Sequence, residues 1–247
     1  MTKDGDLWVA GVDGCPTGWI VVAHQVEAPE AAVIHHAPAF SHILSDTRDF
    51  AVIAIDIPIG LPESVTTGGR DADISARRVL GSRQSAVFAM PSRRAVYADT
   101  YPEACDAALA TSDPPKKISK QAYNLFPKVR EVDALMTPDV QTRVFEVHPE
   151  VAFWALNDEA PLATAKKVKS RPNPDGLAQR RALLIGAGYD RAFVETEHFK
   201  RKVAGPDDQL DATVNAHAAT RILKGTAKRF PADPKIDSHG LRMEIWG

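Results

Sequence analysis

Ala51-Val52-Ile53-Ala54-Ile55-Asp56-Ile57 is an apolar run with one charged member, closed by Pro58. A strand with one face in water alternates polar and apolar side chains. An unbroken apolar run instead predicts a central strand covered on both faces, as in α/β proteins. Toward the N-terminus, residues 7–12 form a shorter apolar run that ends at Asp13-Gly14. Cys15-Pro16-Thr17-Gly18 has turn chemistry, and residues 19–23 are apolar again, so a hairpin is predicted. Residues 31–34 predict a third strand after the break at Ala28-Pro29-Glu30, and residues 40–50 a short helix. The expected fold class is α/β. It has a mixed sheet flanked by helices, the hairpin first and the Asp56 strand parallel to the first strand.

On the C-terminal side, residues 143–147 predict another strand, stopped by His148-Pro149, and residues 151–156 open a helix. Residues 160–176, with Pro161, Pro172 and Pro174, read as a loop, and residues 178–187 as a helix. The clearest helix spans 207–223, with Asp207 at its cap. Leu210, Val214, His217 and Arg221 share one face of it; Asp208, Asp211 and Asn215 share another. Residues 241–246 predict an edge strand. Residues 63–140 hold two helical patterns, 71–80 and 121–136, around the loop Pro114-Pro115-Lys116-Lys117. They read as a helical insertion, between the fourth strand and the next, within one domain of 247 residues.

Composition narrows the function classes. Hydrophobic residues at 44% and charged residues at 25% exclude a disordered chain. Cys15 and Cys105 are the only two cysteines, which leaves no zinc spacing and no disulfide framework. The polar start and the absence of a long apolar run predict a cytoplasmic protein with no membrane partner. The net charge of -2 hides an asymmetry. Residues 1–63 hold two basic and nine acidic residues, whereas residues 165–202 hold ten basic and four acidic. The second segment reads either as a surface for nucleic acid or as a solvated loop and helix.

Asp13, Asp56 and Glu146 each interrupt an apolar strand. A carboxylate in such a setting is costly unless it is paired, hydrogen-bonded or bound to metal. Strand ends that lie side by side would gather these acids, and the helix would add Asp208 and Asp211, three residues apart on one face. Oxygen ligands of this kind suit Mg²⁺ or Mn²⁺ over zinc. Each acid also has a plainer reading. Asp13-Gly14 is turn chemistry, and Asp56 can end a strand. Glu146 can pair with Arg143 or Lys128, and Asp207-Asp208 can cap a helix. Asp211 lies one turn inside, where capping does not explain it. His148 and Glu150 are candidates for proton transfer or for structural roles. Arg93 and Arg94 read as phosphate contacts or as a solvated loop. Trp19, Trp154 and Trp246 read as core.

Two segments, Gly11-Val12-Asp13-Gly14-Cys15-Pro16-Thr17-Gly18-Trp19 and Ile55-Asp56-Ile57-Pro58-Ile59-Gly60-Leu61-Pro62, resemble the family known as domain of unknown function 429. So do residues 121–133, residues 144–150 and the tail 240–246, which together span almost the whole chain. That family is regarded as a predicted ribonuclease H-like nuclease. The resemblance implies a ribonuclease H-like sheet and a metal site with an Asp on the first strand (Asp13), an acid on the fourth (Asp56) and an acid on a late helix (Asp211). Asp208-Gln209-Leu210-Asp211-Ala212 is similar to the late helix of Holliday-junction resolvases, which also sets two acids three apart. Glu146 has no counterpart in that pattern. The expected function is metal-dependent hydrolysis of phosphodiester bonds in DNA or RNA by a carboxylate-bound two-metal mechanism. The alternatives are a catalytically inactive nucleic-acid-binding or scaffolding module and a phosphotransferase of the same superfold. For the phosphotransferase, Gly11, Gly14 and Gly18 give only one weak phosphate loop and no duplicated half is visible.

Overall fold

The computed structural model describes residues 7–169 and 171–247. The chain divides into two units. One holds the residues up to 56, residues 143–228 and residues 246–247; the other holds residues 57–142 and 229–245.

The first unit opens with β1 (Trp8–Cys15) and β2 (Gly18–Gln25), an antiparallel pair joined by the turn at Pro16-Thr17. β3 (Val33–Ala37) pairs antiparallel with β2. It begins later than the apolar pattern suggests, because Pro29–Ala31 forms a single 3-10 turn. α1 (Phe40–Leu44) is the N-terminal part of the helix expected over 40–50, and it buries Phe40 and Ile43. β4 (Val52–Ile55) follows, with all four residues buried.

The second unit contains β5 (Val65–Thr66), α2 (Asp71–Leu80), α3 (Arg93–Val96), α4 (Tyr101–Ala110), β6 (Ser112–Asp113), α5 (Lys120–Tyr123) and α6 (Phe126–Asp133). The single helix expected over 121–136 is two, because Pro127 sits in the first turn of α6, where a proline starts a helix but cannot continue one. Arg93 is not a free phosphate contact. It donates to Asp133 at 2.5 Å and to Asp237 at 2.8 Å, and Tyr97 Oη donates to Asp133 at 2.6 Å. These groups tie the tail segment to the helices of this unit.

The chain returns to the first unit with β7 (Val144–Glu146), α7 (Pro149–Leu156), β8 (Lys167–Val168), β9 (Arg171–Pro172), α8 (Pro174–Gly186), α9 (Arg191–Glu195) and α10 (Pro206–Leu223). The expected loop over 160–176 thus contains a small hairpin, β8 against β9. Short strands β10 (Arg229–Phe230) and β11 (Ile245–Trp246) complete the elements, and Trp246 bridges in parallel to Val147.

The main sheet has the order β3-β2-β1-β4-β7, with β4 parallel to both β1 and β7. β4 therefore has a neighbour on each side, which explains the apolar run. Its Val52 and Ala54 join Val9 and Val147 in a core that Leu210, Val214 and Ala218 of α10 cover. Among the described residues no helix is long and apolar enough to cross a membrane.

Candidate functional site

Strand register decides which acids meet. Val12 is level with Ile55, so Asp13 and Asp56 are the next residues on adjacent parallel strands. Successive side chains alternate between faces, and residues in register share a face. Asp13 therefore lies on the face of Gly11 and Val9, and Asp56 on that of Ala54. The two carboxyls are close enough to influence each other.

α10 brings the third acid. Gly11 is the point of contact, since a Cβ there would lie 2.0 Å from Ala216 N and 2.1 Å from Ala212 O. Only glycine lets a helix backbone come this close to a strand. Asn215 Nδ2 then donates to Val12 O at 3.0 Å and fixes the helix along β1. Asp211, one turn earlier, reaches the end of β1; its charge acts on Asp13. Asp208 lies nearer the helix start, where its Oδ2 accepts from Gly205 N at 2.8 Å. This bond caps α10, the role expected of Asp207.

Two lysines from the segment expected to be a loop complete the site. Lys166 Nζ pairs with Asp211 Oδ2, and Lys167 Nζ pairs with Asp207 Oδ2 at 2.5 Å. No sequence periodicity marks them. The available signal is that a cluster of acids needs a nearby cation, and Lys166-Lys167 opens the basic segment. Among the described residues no three His, Cys, Asp or Glu side chains stand in a ready coordination arrangement. Lys166 takes the compensating position at Asp211.

The register parts Glu146 from this group. Glu146 is level with Ile55, while Val147 is level with Asp56. Val147 packs in the core beneath α10, so alternation turns Glu146 to the opposite face of the sheet. Glu150 is also committed elsewhere: it pairs with the fully buried Arg180. His148 caps α7, its Nδ1 accepting from Glu150 N at 3.2 Å. It nevertheless lies near enough to influence Asp56.

The electrostatics follow from burial. Asp13 is pushed well above the usual carboxylate range by burial first and then by Asp211 and Asp56. Burial raises Asp56 too, against the lowering effects of His148 and Lys166. Asp208 is raised by burial and then by Asp207. Asp211 is pushed up to about 7 by burial, with Lys166 opposing and Asp207 and Asp56 adding. For Lys166 burial works downward, but Asp211 and Asp13 outweigh it and hold the ammonium above its ordinary range.

A raised carboxyl contributes stability that is full below its unfolded pKa and is lost as pH rises through its folded value. For Asp211 the loss runs from about pH 4 to about 7. His217, pushed down to about 4 by burial and then by Arg221, gives the opposite slope over part of that range. A difference between two proteins isolates Asp211. In EDTA, the stability of Asp211→Asn relative to wild type should rise by a few kcal/mol between pH 4 and pH 8. Urea denaturation at a series of pH values measures it, and a flat difference would mean that Asp211 is not under this strain.

The chain belongs to the family described as protein of unknown function (DUF429), whose model matches residues 11–236. No curated protein and no solved structure matches it.

Proposed function

We propose that the protein is a ribonuclease H-like, metal-dependent nuclease that hydrolyses phosphodiester bonds of DNA or RNA. The observation that carries this reading is the register that sets Asp13 beside Asp56 on adjacent parallel strands, with Asp211 of α10 near enough for its charge to act on Asp13. The strand order supports the fold assignment: a three-strand meander with β2 alone antiparallel, followed by two parallel strands.

The donor set fits a hard divalent cation. It consists of carboxylate oxygens, and buried Asp211 Oδ1 has no hydrogen-bond partner. Asp13, Asp56 and Asp211 would hold Mg²⁺ or Mn²⁺, with Asp208 contributing the oxygen not used by Gly205. Such a metal, when bound, supplies a water of lowered pKa and neutralises charge on a phosphate. The protein's own part is positioning. Backbone pairing fixes Asp13 and Asp56, Asn215 fixes α10, and burial strengthens every charge interaction in the site. His148 is held at the start of α7, where its Nδ1 accepts from Glu150 N.

Nucleic acid is the proposed partner. Lys169 and Arg171 on the hairpin, and Lys200, Arg201 and Lys202 ahead of α10, are exposed. Binding should weaken steeply with salt, with a log–log slope of about -0.9 per phosphate contact on duplex DNA. Titration at several salt concentrations measures this; a flat response would return these side chains to the role of a solvated surface.

Incubation with single-stranded, duplex and branched DNA and RNA in Mg²⁺ or Mn²⁺ should give cleavage that EDTA stops. The pairing of Lys166 with Asp211 favours a second reading, an inactive nucleic-acid-binding module. A protein that binds these substrates but cleaves none of them would establish that module instead.

A further inference from the structure

Lys166 has a fixed backbone and a side chain held by charge. Asn173 N donates to Lys166 O at 2.8 Å, Asn173 Nδ2 to Ala165 O at 2.9 Å, and Arg180 Nη1 to Thr164 O at 3.0 Å. Gly176 packs so tightly that a Cβ would lie 2.0 Å from Ala165 O. The side chain itself is 27% exposed and ends on Asp211 Oδ2, whereas the Asp211 side chain is 2% exposed. The other oxygen of Asp211, Oδ1, is buried without a hydrogen-bond partner. A long, flexible side chain with a route to water thus compensates a carboxylate that still has an oxygen to give.

We propose that Lys166 is a built-in counter-ion that competes with the divalent cation for Asp211. Its ammonium neutralises the acidic cluster while no metal is bound, and swings into solvent when Mg²⁺ or Mn²⁺ arrives. This rests on the metal-site reading above. Two cations cannot share one carboxylate at contact distance without strong repulsion. The divalent ion holds oxygens from several acids, whereas the ammonium pairs with Asp211. The exchange leaves the loop intact, because the hydrogen bonds that hold its backbone do not involve the ammonium. The metal affinity of the wild type is therefore weakened by the work of displacing Lys166.

The test is calorimetric titration of Mn²⁺ into the full-length, metal-free wild type and its Lys166→Met and Lys166→Gln variants. Removal of the competing charge should tighten Mn²⁺ binding by about tenfold or more, because an adjacent opposite charge typically shifts such equilibria by one to three powers of ten. Folded variants that bind no more tightly than a binding-competent wild type would overturn the proposal and leave the metal site standing. If wild type and variants all fail to bind at millimolar Mn²⁺, the metal-site reading falls, and this proposal with it. A second measurement needs no variant. Acetylation of Lys166 by acetic anhydride, read by mass spectrometry, should be several-fold faster in saturating Mn²⁺ than in EDTA, with exposed Lys169 as the internal control. Unchanged Lys166 labelling on the Mn²⁺-bound protein would overturn the exchange.

Discussion

Asp56→Asn should lower Mg²⁺-dependent cleavage by about a thousandfold or more while leaving the protein folded, since a correctly held metal is worth several kcal/mol at the transition state. Asn keeps the size of the side chain and an acceptor oxygen. It removes the charge that would hold the cation. Burial already raises Asp56 above its ordinary range, so its ionised form is strained at neutral pH. In EDTA the variant should melt at the wild-type temperature or above it. In Mn²⁺ the wild type should gain stability in proportion to ligand binding, and the variant should gain little. Cleavage assays and paired melts separate the outcomes. A folded variant that cleaves as fast as wild type removes Asp56 from the site. A variant that does not fold makes the Asp56 carboxyl itself a structural requirement.

The parts of the site that were legible in the sequence are those where local chemistry conflicts with its surroundings. Asp13 and Asp56 stand out because each places a charge in an apolar strand, and Asp211 because it lies beyond the reach of a helix cap. The adjacency of β1 and β4 follows from the apolar run of β4, which needs cover on both faces and a neighbour on each edge. Glu146 shows the same local conflict, yet the decisive quantity is its parity relative to Asp56. That parity is set by the pairing of Ile55 with Glu146, a long-range fact with no local signature. Lys166 comes from a segment without periodicity, and only the folded chain brings it to Asp211. α4 was missed for another reason. Its local signal is the capping box of Thr100 with Glu103, which the apolar periodicity that marks 71–80 and 121–136 does not accompany.

Gly11→Ala should destabilise the protein by about 3 kcal/mol or more, or prevent folding altogether, because overpacking of this kind leaves little room for relaxation. The added methyl carbon would sit 2.0 Å from Ala216 N, 2.1 Å from Ala212 O and 2.6 Å from Asn215 C. All three are backbone atoms of α10, so no rotamer change relieves the clash. The helix must move away from β1 by more than an ångström. That shift breaks the bond from Asn215 to Val12 O and draws Asp211 away from Asp13. Any folded fraction at low temperature should therefore also lose Mn²⁺ affinity, since a displacement of about 1 Å costs roughly a hundredfold in a positioned site. Gly186→Ala is the control: nothing lies within 4 Å of its added carbon, at the last residue of α8. There alanine should be neutral or stabilise by up to about 1 kcal/mol through helix propensity. Urea denaturation of the three proteins, with Mn²⁺ titration of each folded species, measures both effects. A Gly11→Ala protein that keeps wild-type stability and Mn²⁺ affinity would show that α10 can yield at this crossing, and that the meeting of Asp211 with Asp13 is set elsewhere along the helix.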